Sequence, residues 1–273
     1  MTRGEGRMAC SNSEIVKTAH ALADAARSAI LPLFRVDGIA VENKADPYNV
    51  YDPVTAADKA AEKAMRAVLE ARRPDDGILG EEFGTKPGKS GLTWVLDPID
   101  GTRAFVAGAP TWGVLIAVSD DSGPVYGLID QPYIAERFEG GFGRAVMTGP
   151  QGERSLRTRG NRPLAEATVF TTFPEVGTQA EGDAFRAVSG QARLTRYGLD
   201  CYAYALVAGG HVDLVIEAGL KAYDIQAPIA VIEAAGGIVT DWSGGPAHEG
   251  GRVVAAAGQQ QHAAALDILS RFV

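Results

Sequence analysis

The chain predicts a mixed α+β or α/β fold in two halves, and three patterns carry that expectation. Apolar residues at 15, 19, 22, 26, 30 and 33 recur at helical spacing. Residues 93–147 read as short apolar runs separated by turns, the pattern of an antiparallel or mixed sheet. From residue 169 onward strand-like and helix-like segments alternate, which favours a layered α/β arrangement. The halves meet without a linker, as an N-terminal α+β domain over 1–147 and a C-terminal α/β domain over 148–273.

Ser11 to Ser13 supply an N-cap for the first helix, and Pro32 suits its end. Residues 37–53 are polar and turn-rich. A second helix starts near Thr55, in a variant capping box formed with Asp58, and runs through Ala61, Met65 and Leu69 to Pro74. Strands are expected at 94–96, 112–119 and 125–130, then at 145–147 after the glycine-rich turn 140–143. In the second half, strands at 169–171, 194–197, 212–217 and 238–240 alternate with helices at 180–191, 202–209 and 225–235. Gly236-Gly237 stops the last of these helices.

The 273 residues suffice for a large core without disulfides. Cys10 and Cys201 match no zinc or CxxC spacing, and a reducing, cytoplasmic compartment is the simplest reading. With 26 basic and 34 acidic residues the formal charge is −8, which argues against sequence-independent nucleic-acid binding. It also means that an anionic substrate needs a cation to meet it. No apolar run approaches the roughly 20 residues that span a bilayer. No G-x-S-x-G elbow is present, and the four histidines are scattered. The run 140–143 lacks the third glycine and following helix of a dinucleotide site.

Chemistry concentrates in Asp97-Pro98-Ile99-Asp100-Gly101-Thr102. A turn through Pro98 and Gly101 aims two carboxylates at one point, where a regular strand sends residues three apart to opposite faces. Converging carboxylates call for a cation, and hard oxygen ligands suit Mg²⁺. The Gly101 and Thr102 amides offer a phosphate cradle. The plain alternative is an Asp-rich turn that satisfies its own backbone. Glu81 at a strand end, Asp224 ahead of a helix and Asp58 in a capping box have similarly plain alternatives, as a solvated acidic pair and as helix caps.

Residues 94–105 (WVLDPIDGTRAF) and 223–237 (YDIQAPIAVIEAAGG) resemble the two signature motifs of the inositol monophosphatase family. The likeness extends to 52–58 (DPVTAAD), to Gly80-Glu81-Glu82 and to the hairpin 141–145, in order and spacing over nearly the whole chain. It implies a layered αβαβα sandwich and a Mg²⁺-dependent phosphomonoesterase holding two or three Mg²⁺ per site, or Mn²⁺. By the resemblance, Glu81, Asp97, Asp100, Asp224 and the Ile99 carbonyl bind metal. Asp58 and Thr102 orient and deprotonate the attacking water, with Glu81 also in the catalytic set, and the Gly101 and Thr102 amides hold phosphate. Lys44 falls near a mobile loop, 46–52, that closes on the ligand. No covalent phosphoenzyme is implied, and a homodimer is.

Residues 197–204 (YGLDCYAY), 102–118 and 210–224 look like the histidinol-phosphate phosphatase branch of that family. Asp200 can pair with an imidazole N–H or an amino group, and Glu217 with a hydroxyl or an ammonium. Gly198 joins them in the substrate-binding set. The plain alternatives are an N-cap for Asp200 and sheet packing for Tyr202 and Tyr204. L-histidinol phosphate is the leading substrate. Inositol monophosphate or another sugar or polyol phosphate is the second reading, and a non-catalytic metal or phosphate sensor the third. The second motif here opens Tyr223-Asp224 rather than the usual Trp-Asp. Pro228 four residues later is expected to sit at the edge of the first helical turn and to shift Asp224.

Overall fold

A computed structural model describes residues 3–38, 41–43, 53–175 and 177–272, with the side chains of 3–11 and of Pro53 not described. Two helices open the chain, α1 (Arg3–Ile30) and α2 (Ala56–Arg72), with strands β1 (Val41–Asn43) and β2 (Pro53–Thr55) paired between them. The α1 helix passes straight through Ser11–Ser13, so those serines are not its cap. Serine is tolerated inside a helix, and no proline interrupts 3–30. Residues 31–33 then tighten into a 3₁₀ turn at Pro32.

An eight-stranded mixed sheet follows. It comprises β3 (Gly77–Gly80), β4 (Gly84–Lys86), β5 (Thr93–Asp100), β6 (Gly113–Asp120), β7 (Gly123–Gln131), β8 (Glu136–Gly141), β9 (Arg144–Gly149) and β10 (Gly152–Ser155), in the order β10-β9-β8-β7-β6-β5-β3-β4. A short helix, α3 (Thr102–Val106), joins β5 to β6. The boundary expected at 147/148 falls inside β9, and the first sheet continues to Ser155.

The second sheet has five strands: β11 (Thr168–Thr171), β12 (Leu194–Tyr197), β13 (Leu214–Lys221), β14 (Ile238–Asp241) and β15 (Gly250–Ala256), ordered β12-β11-β13-β15-β14. Its helices are α4 (Gln179–Ser189), α5 (Cys201–Ala208), α6 (Ala222–Ala234) and α7 (Gln259–Leu269).

Strand alternation distributes the side chains among three apolar layers. On β6, Val114, Ile116 and Val118 face α1 and α2, whereas Leu115 and Ala117 face α5 and α6. On β15, Val253 and Ala255 join that central layer, while Val254 and Ala256 pack under α4 and α7. The result is helices, sheet, helices, sheet, helices. Glycines let the central helix approach closely: a Cβ at Gly127 would lie 2.9 Å from Ala227 Cα, and one at Gly140 would lie 2.5 Å from Val231 Cα.

Candidate active site

The site begins with a break in the pairing of β5 with β6. Asp97 pairs with Leu115 and Asp100 with Gly113, so three steps on β5 oppose two on β6. This bulge re-phases the strand. Leu96 and Ile99, three residues apart, consequently face the same apolar layer. Asp97 and Asp100 therefore share the opposite side. The strand runs to Asp100, and the expected turn is instead this bulge followed by Gly101 at φ +86°. Asp97 Oδ1 accepts from the Ile99 amide (3.0 Å), and Asp100 Oδ2 from the Cys201 amide (2.6 Å).

Asp224 arrives from α6, and its position corrects the sequence reading. The N-cap is Lys221, so Asp224 is the third helical residue, and its Oδ2 accepts from the Lys221 amide at 2.7 Å. Pro228 lies well inside α6 rather than at its edge, where it takes away the amide that would otherwise bond the Asp224 carbonyl. Carboxylate oxygens of Asp97, Asp100 and Asp224 all lie within 4.8 Å of one another.

Glu81 follows β3, whose parallel pairing with β5 continues as its amide bonds the Leu96 carbonyl at 3.2 Å. Glu62 on α2, fully buried, fixes the turn beyond it by accepting from the Glu82 amide (2.7 Å), the Phe83 amide (3.3 Å) and Arg66 Nε (2.7 Å). Only glycine at 80 leaves room for Glu62 to reach across. Glu81 thereby lies close enough for its charge to act on Asp97.

Electrostatics identify what this cluster requires. Burial, then the charges of Glu81, Asp100 and Asp224, push the Asp97 carboxyl well above its ordinary pKa. Asp100 is raised by burial, then by Asp200 and Asp224. Convergent, mutually repelling oxygen donors with no nitrogen or sulfur among them fit a hard divalent cation.

Beside them, the predicted capping box at Thr55 is present in full. Asp58 Oδ2 accepts from the Thr55 amide (2.8 Å) and hydroxyl (2.6 Å), which leaves Oδ1 for the Thr102 hydroxyl at 3.1 Å. Thr102 Oγ1 is also 3.0 Å from the Ile99 carbonyl. Its single proton serves one acceptor at a time, and donation to Asp58 leaves that carbonyl open to a cation. Burial raises the Asp58 pKa against the pull of these hydrogen bonds, making it a stronger base.

The opposite wall comes from the second sheet. Asp200 occupies the N-cap position of α5, but its side chain makes no capping hydrogen bond. Its backbone is held at φ +46°, ψ −139°, a conformation costly for a residue with a Cβ. Its carboxylate lies over Gly101, where a Cβ would come within 2.7 Å of Asp200 Cγ. Thr111 Oγ1 donates to Asp200 Oδ2 at 3.4 Å. Burial lifts the Asp200 pKa to about 6, while Thr111 and the nearby Arg103 charge oppose the rise. Glu217 on β13 accepts from Thr172 N (2.7 Å), Thr172 Oγ1 (2.9 Å) and Thr171 Oγ1 (3.1 Å), and burial raises it to about 7. Gly198, at φ +80°, shapes the turn before α5, with its amide on the Thr171 carbonyl. Lys44 and the loop 46–52 lie outside the described residues.

Sequence reasoning missed the residues that steady this wall. Thr171 and Thr172 belong to no motif, and Thr111 and Cys201, though inside the stretches 102–118 and 197–204, carried no assigned role; contacts between distant segments bring them in. Tyr204, expected to pack against the sheet, does so, yet its hydroxyl is buried without a hydrogen-bond partner among the described residues.

Comparison with known proteins identifies a family and a shared fold. Residues 11–271 match the inositol monophosphatase family. A bifunctional phosphatase, IMPL2, from Arabidopsis thaliana chloroplasts is 43% identical over 82% of this chain, which spans 63% of that protein. A histidinol-phosphatase of Streptomyces coelicolor is 34% identical, covering 89% of this chain and 92% of its own length. The solved structure of an inositol monophosphatase from Zymomonas mobilis superimposes with a TM-score of 0.83 at 39% identity, over 94% of this chain and 98% of that one.

Proposed function

The chain belongs to the inositol monophosphatase family, and we propose that it is a Mg²⁺-dependent phosphomonoesterase that hydrolyses L-histidinol phosphate to L-histidinol and phosphate. The observation that carries this reading is the seating of Asp200, a carboxylate held in a strained backbone directly over Gly101 of the phosphate-binding motif.

Asp97, Asp100, Asp224 and Glu81, with the Ile99 carbonyl, would hold Mg²⁺, which supplies positive charge for activating water and offsetting charge on the phosphoryl oxygens. The remaining work falls to side chains and amides of the chain. The attacking water donates to Thr102 Oγ1, whose own proton passes to Asp58 Oδ1. Thr55 holds Asp58 in the orientation that receives it. The Gly101 and Thr102 amides fix the phosphate in line with that water. Asp200 accepts an imidazole or amine N–H of the alcohol, and Glu217 holds its ammonium. An uncharged polyol gives Asp200 no cation to pair with.

The same reading carries a homodimer and a cytoplasmic location, which light scattering and cell fractionation check. No helix among the described residues is long and apolar enough to cross a membrane. The functional test is steady-state kinetics on histidinol phosphate, inositol 1-phosphate and a nucleotide 3′-phosphate, in Mg²⁺ and in EDTA. The expected result is loss of all turnover in EDTA and a preference for histidinol phosphate of at least about tenfold, or ~1.4 kcal/mol. Turnover that persists in EDTA contradicts the metal assignment, and a preference for inositol 1-phosphate replaces the substrate. Metal-saturated protein with no turnover at all favours the sensor.

A further inference from the structure

Phe173 follows β11 and is 41% exposed. One face of its ring is covered by Arg103, whose guanidinium carbon lies 5.0 Å from the ring centroid. Arg103 itself follows Thr102, a phosphate-motif residue, and its charge acts on Asp200. The residue before Phe173 is Thr172, which makes two of the three hydrogen bonds that fix Glu217. The ring is thus tied to the phosphate motif through Arg103 and follows directly in the chain on the threonine that fixes Glu217, with part of its surface exposed.

We propose that Phe173, braced by Arg103, is a specificity-determining platform on which the alcohol part of the substrate lays a planar ring. Offset stacking on an exposed phenylalanine face favours flat π systems over saturated rings of equal size. A platform beside the wall that carries Asp200 suits an alcohol bearing a flat heteroaromatic ring with an N–H to donate. Stacking acts on binding, so the effect falls on KM rather than kcat.

This inference rests on the phosphomonoesterase reading for its assay, and its test is separable from the choice of substrate. The probes are 2-phenylethyl phosphate, with a flat aromatic ring, and 2-cyclohexylethyl phosphate, with a puckered saturated ring on the same linker, and β-glycerophosphate is the baseline. Wild type is expected to favour the phenyl ester by about fivefold in kcat/KM, through KM. Phe173→Leu brings that ratio within twofold of unity and leaves β-glycerophosphate turnover and Tm unchanged. Arg103→Ala gives an intermediate ratio, and Arg103→Lys restores most of it. A wild-type ratio near one, or a ratio that survives Phe173→Leu, overturns the platform. A high ratio without preference for histidinol phosphate keeps the platform and removes that substrate, and the converse removes the platform alone. Absence of turnover with every ester overturns both.

Discussion

The two walls of the site are built in different ways. The metal-facing wall depends on local backbone devices: a bulge in β5, a left-handed Gly101, a capping box at Thr55 and a helix start at Lys221. The capping box and the helix start fix Asp58 and Asp224 by bonds three residues apart, and the bulge turns Asp97 and Asp100 to one side, with longer-range support from Glu62 and the Cys201 amide. The alcohol-facing wall depends on distant contacts, with Thr111 reaching Asp200 across 89 positions and Thr172 reaching Glu217 across 45. Chemistry held locally is robust, whereas specificity held by long-range contacts is adjustable.

The largest break in this contrast is Asp97→Asn. On the proposed assignment Asp97 is a metal ligand whose loss removes several kcal/mol of transition-state stabilisation, so kcat/KM is expected to fall about 10³-fold on every ester. The same change relieves the repulsion among Asp97, Glu81, Asp100 and Asp224, so Tm in EDTA is expected to rise. A fall in Tm contradicts the crowding described above.

Gly101→Ala strikes both walls together. Its Cβ meets Asp200 and its backbone sits at φ +86°, so we expect a loss of about 1–3 kcal/mol in stability. Displacement of the phosphate amides by about an ångström costs about 100-fold in turnover. Denaturant unfolding and kinetics on two esters check both effects. Glu62→Gln is milder. It loosens the turn that presents Glu81, and calorimetry is expected to show about tenfold weaker Mg²⁺ binding.

The smallest expected effect is on the pH dependence of ligand-free stability. Asp200 near 6 and Glu217 near 7 bind protons more tightly folded than unfolded. Their contribution is complete below the ordinary carboxylate range and is lost as pH rises through 6 and 7. Tm in EDTA is expected to drop by a few degrees between pH 5 and pH 8, and Mg²⁺ is expected to flatten the profile at its upper end.

The same contrast explains what the sequence made legible. The capping box at Thr55 was readable because a residue spacing specifies it, and β12 was readable at 194–197 to the residue. The convergence of Asp97 and Asp100 was readable, but its mechanism was not. A bulge is defined by the partner strand, and β6 is not visible from β5 alone. Asp224 was placed ahead of the helix, as a cap, because Lys221 is an unusual N-cap and gives no start signal. Glu62, which positions Glu81, carried no signal at all, since a buried glutamate one turn along α2 reads as ordinary helix surface.

The claim that the chemistry and the specificity reside on separate walls is tested most directly by Asp200→Asn. The measurement is kcat/KM for histidinol phosphate and for inositol 1-phosphate in saturating Mg²⁺, variant against wild type. The account predicts a loss of about tenfold or more on histidinol phosphate with inositol 1-phosphate changed by less than about twofold. Equal losses on both esters, or none on either, would contradict it.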